Sequence, residues 1–233
     1  MSSSDSSPLE RRSFLNRFNA GFVSAAAMAG VAMAQEKSAP SSRFEAARHE
    51  QDEWLDQLPG KHRVLFDATE PEAFGYTLYF ADNYIRVNQG VYGMKKDDLA
   101  VVIVARHNGT PFGFSDAMWA KYGRALGERG GLRDPKTEMA PKINIFNAAG
   151  YGAMLSNHGA TLAKLFEMGV QLAVCSIASR GYAANSASAT GGTTDAAYAE
   201  LTSNLVGPNA RMVPAGIVTV TRAQEKGYTL VRG

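Results

Sequence analysis

The single cysteine of this 233-residue chain, Cys175, follows a mostly apolar segment at residues 170–174. Ser176 comes directly after it, and Arg180 follows five residues later. If a helix begins here, the positive end of its dipole and the Arg180 guanidinium both favour the thiolate, the form that attacks electrophilic sulfur. We therefore predict that Cys175 is a catalytic nucleophile and that Arg180 stabilises its charge. A buried structural cysteine is the competing interpretation, because free cysteine is among the most buried residue types.

A second apolar run, at residues 99–105, is followed directly by three reactive side chains, those of Arg106, His107 and Asn108. Ligands of open α/β sheets bind beyond the carboxyl ends of the strands. His107 and Asn108, together with Ser176, are therefore predicted to line the pocket of Cys175. Taken alone, His107 could equally be a base, a ligand or an ordinary loop residue.

Several other chemistries lack support in this sequence. The dinucleotide-binding glycine pattern, the P-loop and the nucleophile elbow do not occur. One cysteine excludes an intrachain disulfide framework, a CxxC redox pair and a thiolate zinc cluster. His62 and His158 show no ligand spacing. We predict no cofactor and no metal, and the weakest alternative is a metal- or cofactor-dependent enzyme that uses His107 and His158.

The first 34 residues have the layout of an export signal. Arg11-Arg12 is followed by Phe14-Leu15, as in twin-arginine signals. A weakly apolar segment comes next, too short for a membrane span of about 20 residues. It ends in Ala32-Met33-Ala34, which matches an A-x-A cleavage site. We predict a twin-arginine signal peptide at 1–34, cleaved near Ala34, and recognition by the twin-arginine translocation machinery. The protein would then be periplasmic, with no stable membrane anchor.

The charge of the remaining 199 residues is almost balanced. Removing residues 1–34 leaves 21 Lys and Arg against 20 Asp and Glu, a net charge of +1. Such a chain presents no broad electrostatic case for binding nucleic acid or an anionic membrane. Its length is sufficient for one well-buried α/β domain.

Residues 35–60 are predicted to form a short linker and an N-terminal helix. Ser42 and Glu45 match a capping box, and Phe44, Trp54 and Leu55 lie on one apolar stripe that ends at Pro59-Gly60. Such a helix is marginal alone, so its stripe must be buried against the domain or a neighbouring subunit.

Residues 61–233 alternate between strand and helix patterns. Strands are predicted at 63–67, 99–105, 170–174, 210–213 and 228–231, with a long irregular excursion inside 108–157. This alternation predicts a single compact α/β domain whose mostly parallel sheet, of about five strands, is flanked by helices.

The C-terminal third carries a resemblance to a known family. A helix that ends in Phe166-Glu167-Met168-Gly169-Val170 leads into the strand that closes on Cys175, and Arg180 follows. Val213-Pro214-Ala215-Gly216-Ile217-Val218 and Gln224-Glu225-Lys226-Gly227-Tyr228 complete the order. Over about 160–232 the chain resembles the DsrE/DsrF-like family of sulfur-relay proteins.

The resemblance implies a compact fold with a five-stranded, mainly parallel sheet and homo-oligomers, as trimers or hexamers. It places Cys175 where the family carries sulfur as a persulfide, with a small molecule or a protein as sulfur donor or acceptor. The expected function is therefore that of a periplasmic sulfur-handling protein whose thiol is Cys175. The alternative is a non-catalytic binding or assembly module of the same fold with a structural, buried cysteine.

Overall fold

A computed structural model describes residues 45–233, so the predicted signal peptide and the predicted cap at Ser42 lie outside the described residues. Five strands form one sheet in the order β4-β3-β2-β1-β5, and every pairing is parallel. They are β1 (His62–Ala68), β2 (Leu99–Ala105), β3 (Gln171–Cys175), β4 (Ala210–Val213) and β5 (Thr229–Arg232). The predicted α/β domain with a parallel, five-stranded sheet flanked by helices is confirmed.

Seven α-helices connect and cover these strands within residues 45–233. They are α1 (Trp54–Gln57), α2 (Pro71–Gly90), α3 (Asp116–Glu128), α4 (Leu162–Glu167), α5 (Ser176–Thr190), α6 (Thr194–Ser203) and α7 (Gly216–Glu225). None of them is long and apolar enough to cross a membrane.

The helices bury both faces of the sheet, which explains why β2, at its centre, is apolar at every position. Side chains alternate between the two faces along each strand. Phe66, Ile103 and Val174 pack in one cluster with residues of α2 to α6. Leu65, Val104 and Ala173 pack in the other with residues of α1 and α7, and we call this second side the α7 face.

The N-terminal helix is much shorter than the spacing predicts. Residues 45–49 are not helical, a 3-10 turn spans Glu50–Asp52, and only α1 is an α-helix in this region. Trp54 and Leu55 are buried, but residues 47–51 are exposed. A helix without tertiary packing along its length is marginal in water, so the chain is helical only where its apolar side chains dock.

Helix α5 is the element that the sequence pattern indicates least. Its segment is rich in Ser and Ala and has no strong apolar stripe. It is buried through small side chains such as Ser179, Ala183 and Ser186, which allow close packing against α6. Gly191 ends the helix in the left-handed conformation, with φ of 75°. The first glycine of the pair at 191–192 is therefore the C-cap of α5.

Candidate functional site

Cys175 lies at the carboxyl edge of the sheet, as the last residue of β3 and the N-cap of α5. Its carbonyl oxygen accepts a hydrogen bond from Ser179 Oγ at 2.7 Å, which holds the first turn of α5 against the strand end. Only 7% of the residue is exposed. The strand end therefore positions the thiol beside the positive end of a 15-residue helix.

An ion pair lies beside this cysteine on the α7 face. Arg106 follows β2 directly, and its backbone N–H extends the ladder by donating to the Ala68 carbonyl. Arg106 Nε and Nη2 donate to Asp67 Oδ1 and Oδ2, both at 2.7 Å. This two-pronged contact fixes the plane of the guanidinium as well as its position.

The electrostatics connect this ion pair to the thiol. The hydrogen bonds to Asp67 raise the pKa of Arg106 against the lowering effect of burial, and the charge of Cys175 acts on Arg106 in the same upward direction. A thiolate at Cys175 and the Arg106 guanidinium therefore attract each other. The Asp67 side chain is 5% exposed and that of Arg106 24%, so solvent screens this attraction only in part.

Helix α7 begins at the same edge, and its first residue must be small. A Cβ atom on Gly216 would lie 2.6 Å from Arg106 Cβ and 3.2 Å from Val104 Cγ1. The glycine therefore lets the first turn of α7 approach Arg106 closely. The site is thus formed by the ends of β1, β2 and β3 and by the first turns of α5 and α7.

The predicted residue Arg180 is engaged elsewhere. Its Nη2 donates to Asp195 Oδ1 at 2.5 Å, and its guanidinium lies 5.2 Å from the ring centre of Tyr198. Ser176 Oγ contacts the Tyr198 hydroxyl at 2.5 Å. Arg180 and Ser176 therefore share a tyrosine of α6, and the Arg180 side chain is 56% exposed.

His107 and Asn108 form a third group. Asn108 Nδ2 donates to Glu70 Oε2 at 2.8 Å, and His107 Nε2 lies 3.7 Å from Glu70 Oε1. The Tyr182 hydroxyl donates to Asn108 Oδ1 at 3.3 Å, and burial is the main cause that raises the pKa of Tyr182 to about 12. His107 adopts a left-handed φ of 51°, a conformation that concentrates at functional sites.

These groups divide the predicted site. Within residues 45–233, no hydrogen bond or ion pair joins Cys175 to Arg180, His107 or Asn108. Two residues beside the thiol were not predicted to belong to its pocket: Arg106, which was noted only as a reactive side chain at its strand end, and Asp67, which was not singled out. Both stand at the carboxyl ends of predicted strands, and this position was the available signal.

A separate apolar groove, with a volume of about 670 Å³, lies between α2 and the edge of the sheet formed by β1 and β5. Phe80, Tyr84 and Val87 line it from the helix, and Val64 and Val231 line it from the strands. It lies along the opposite edge from β4 and contains none of the predicted site residues.

The described part of the chain contains no group of three or more His, Cys, Asp and Glu side chains that could hold a metal ion. No family model, curated protein or solved structure matches this chain. The resemblance to the DsrE/DsrF-like family therefore stays a prediction from the sequence.

Proposed function

We propose that this protein carries sulfane sulfur on Cys175 as a persulfide. The observation that carries the proposal is the Arg106 guanidinium, clamped by Asp67 beside the thiol at the carboxyl edge of a parallel sheet. A fixed cation attracts the negative charge that sulfur carries as an attacking thiolate and, after transfer, as a persulfide anion. The first turns of α5 and α7 add the positive ends of two helices to the same edge.

The reaction that fits this arrangement transfers one sulfur atom without a net change in oxidation state. The Cys175 thiolate attacks the outer sulfur of a persulfide, a polysulfide or thiosulfate, and a new S–S bond forms. The old S–S bond breaks, and the donor leaves as a thiolate, a shorter polysulfide or sulfite. In the second half, a thiolate on the acceptor attacks the outer sulfur of the Cys175 persulfide, and Cys175 leaves as a thiolate.

Asp67 and Arg106 have different parts in this proposal. Arg106 interacts with the negative charge on sulfur, which is present before and after each transfer. Asp67 is a positioning residue, because its two oxygens bind two of the three guanidinium nitrogens and so hold the group in place. The third nitrogen, Nη1, makes no hydrogen bond with residues 45–233. Neutralisation by Asp67 also lowers the cost of keeping Arg106 partly buried.

The second candidate function is a non-catalytic binding or assembly module. The exposure of Cys175, only 7%, favours it, because a thiol must be reached before it can react. A cysteine at this position could simply fill the junction between β3 and α5. The two candidate functions differ in the reactivity of the folded thiol, which can be measured directly.

The test is to expose the folded full chain to polysulfide and, separately, to thiosulfate, and then to determine its mass. We expect a gain of one sulfur atom, located on Cys175 by peptide mapping and removed by a reducing thiol. The Cys175→Ser variant should gain nothing. A wild-type thiol that acquires no sulfur and resists alkylation until the protein is unfolded would favour the binding or assembly module.

We also propose that the protein acts in the periplasm after export through the twin-arginine pathway. This proposal rests on the Arg11-Arg12 motif and the A-x-A site, which lie outside the described residues. Replacing both Arg11 and Arg12 with lysine should leave the uncleaved precursor in the cytoplasm, as cell fractionation and immunoblotting would show. A double variant that is exported and cleaved like the wild type would disprove the motif assignment.

Assembly into trimers or hexamers stays a prediction from the family resemblance. The apolar stripe of the N-terminal helix does not support it, because Trp54 and Leu55 are buried within the domain itself.

A further inference from the structure

Arg211 lies on β4, at the edge of the sheet opposite to β5, and its charge has no partner in the described part of the chain. The register pairs it with Ala173, so its side chain lies on the α7 face. Its guanidinium carbon is 4.4 Å from the ring centre of Trp54, which stacks it against the indole. No hydrogen bond or ion pair among residues 45–233 includes the Arg211 side chain.

Two buried donors at this place lack an acceptor. Arg211 Nε and Trp54 Nε1 are both closed to solvent, and neither has a hydrogen-bond partner within residues 45–233. Trp54 as a whole is only 8% exposed. More than nine in ten buried polar groups in proteins are paired, and a lost partner leaves the full cost of removing the group from water. An acceptor from outside the described residues would remove this cost.

The charge of Arg211 indicates what kind of acceptor this is. Two other arginines on the α7 face have carboxylate partners: Arg106 binds Asp67, and Arg222 Nη1 donates to Glu225 Oε2 at 2.8 Å. A third, Arg63, donates to backbone carbonyl oxygens instead, whereas Arg211 has neither kind of partner within residues 45–233. Burial without such a partner lowers the pKa of Arg211. A water molecule would satisfy the hydrogen bonds but leave the charge uncompensated, whereas an anion does both.

We propose that Arg211 and Trp54 form a binding site for a carboxylate group. The planar guanidinium presents parallel N–H groups that match the two oxygens of a carboxylate. Arg211 is only partly buried, and its terminal nitrogens, Nη1 and Nη2, are open to an acceptor, unlike Nε. One unpaired positive charge balances a monoanion, whereas a dianion would introduce an uncompensated negative charge. The carboxylate can belong to a free organic acid or to an acidic side chain of a second copy of this chain.

This site is distinct from the proposed sulfur site and does not rest on that function. The Cys175–Val213 pair lies two residues further along the strands than the Ala173–Arg211 pair, at the carboxyl edge itself. Within residues 45–233, no hydrogen bond or ion pair joins Arg211 to Asp67 or Arg106.

The chain has two tryptophans, Trp54 and Trp119, which makes the indole N–H groups specific reporters. The full chain, labelled with ¹⁵N-tryptophan, is titrated with sodium acetate at constant ionic strength, with sodium chloride as the balancing salt. We expect the Trp54 indole signal to shift with saturation in the millimolar range, as suits one small anion held by a single guanidinium. The fully buried Trp119 should not respond.

Variants separate the carboxylate site from general effects of salt. Arg211→Gln should weaken acetate binding by about tenfold or more, since it removes a charge-assisted contact. Trp54→Phe assigns the signal, and Arg180→Gln, a change at an exposed arginine on a different helix, should leave the titration unchanged.

If a second copy supplies the carboxylate, the Trp54 signal will instead change with protein concentration without acetate, and Arg211→Gln will lower the molecular mass in solution. A Trp54 signal that responds to neither acetate nor protein concentration, or that chloride shifts equally, would overturn the proposal. A response that survives Arg211→Gln unchanged would do the same.

Discussion

Replacing Arg106 with glutamine is expected to slow sulfur uptake by Cys175 by about tenfold or more, because losing about 1.4 kcal/mol of charge stabilisation changes a rate tenfold. Glutamine keeps much of the length of the side chain and its ability to donate one hydrogen bond to Asp67. It removes the positive charge that attracts the thiolate. The measurement is the rate of persulfide formation on the folded protein, together with the rate of alkylation of Cys175 under the same conditions.

The matched control is Arg180→Gln, which removes an arginine of the same chemistry on the helix that follows Cys175. Its guanidinium binds Asp195 and is exposed, so we expect both rates to stay within about twofold of the wild type. If Arg180→Gln abolished uptake and Arg106→Gln did not, the assignment based on sequence spacing would be correct and the one based on the structure would be wrong.

A second variant, Asp67→Asn, separates the charge of Arg106 from the contact that positions it. Arg106→Gln leaves the buried Asp67 without a charged partner, which is itself destabilising. Asp67→Asn keeps the Arg106 charge but weakens the contact that fixes its plane. We expect this variant to fold and to react with sulfur donors more slowly than the wild type. Wild-type rates in a folded Asp67→Asn variant would show that the clamp has no part in positioning Arg106.

Replacing Leu55 with aspartate is expected to remove most of the stability of the domain. Leu55 is fully buried in the cluster on the α7 face, and its carbonyl oxygen accepts hydrogen bonds from the Tyr228 hydroxyl and Arg63 Nη1. Losing a buried leucine costs about 2–5 kcal/mol, and burying an unpaired carboxylate adds several more. Since the free energy of unfolding of a domain is typically about 5–15 kcal/mol, most molecules of the variant should be unfolded or should have α1 detached from the sheet.

The measurement is urea unfolding followed by circular dichroism, with Ile217→Asp as the control. Ile217 is 53% exposed at the start of α7, where the helix dipole favours a carboxylate. The urea concentration at the unfolding midpoint of Ile217→Asp should therefore remain close to that of the wild type. Trp54→Asp is a less clear probe of burial, because the new carboxylate would meet the Arg211 guanidinium that stacks on Trp54. A Leu55→Asp variant as stable as Ile217→Asp would show that α1 contributes little to the fold.

The parallel sheet could be predicted because each strand carries its own signal. Residues 99–105 are apolar at every position, and such a run is typical of a strand covered on both faces. Gly169 and Gly227, both with positive φ, mark the ends of the segments that precede β3 and β5. These signals are local, because hydrophobic periodicity and glycine stops depend on residues close together in the chain. The place of Cys175 between β3 and α5 followed from the same reasoning.

What lies beside Cys175 was decided by tertiary structure. Arg180 is near Cys175 in sequence, yet its helix directs it to Asp195, whereas Arg106 comes from a neighbouring strand and is held by Asp67, 39 residues away. The same holds for Trp54 and Arg211, which meet only because α1 covers β4 on the α7 face. Strand order and side-chain alternation bring such residues together, and neither leaves a local pattern in the sequence. The sequence by itself thus determined the five strands and the edge at which chemistry is placed. The packing of the strands and helices decided which charges meet there, because those contacts join residues far apart in the chain.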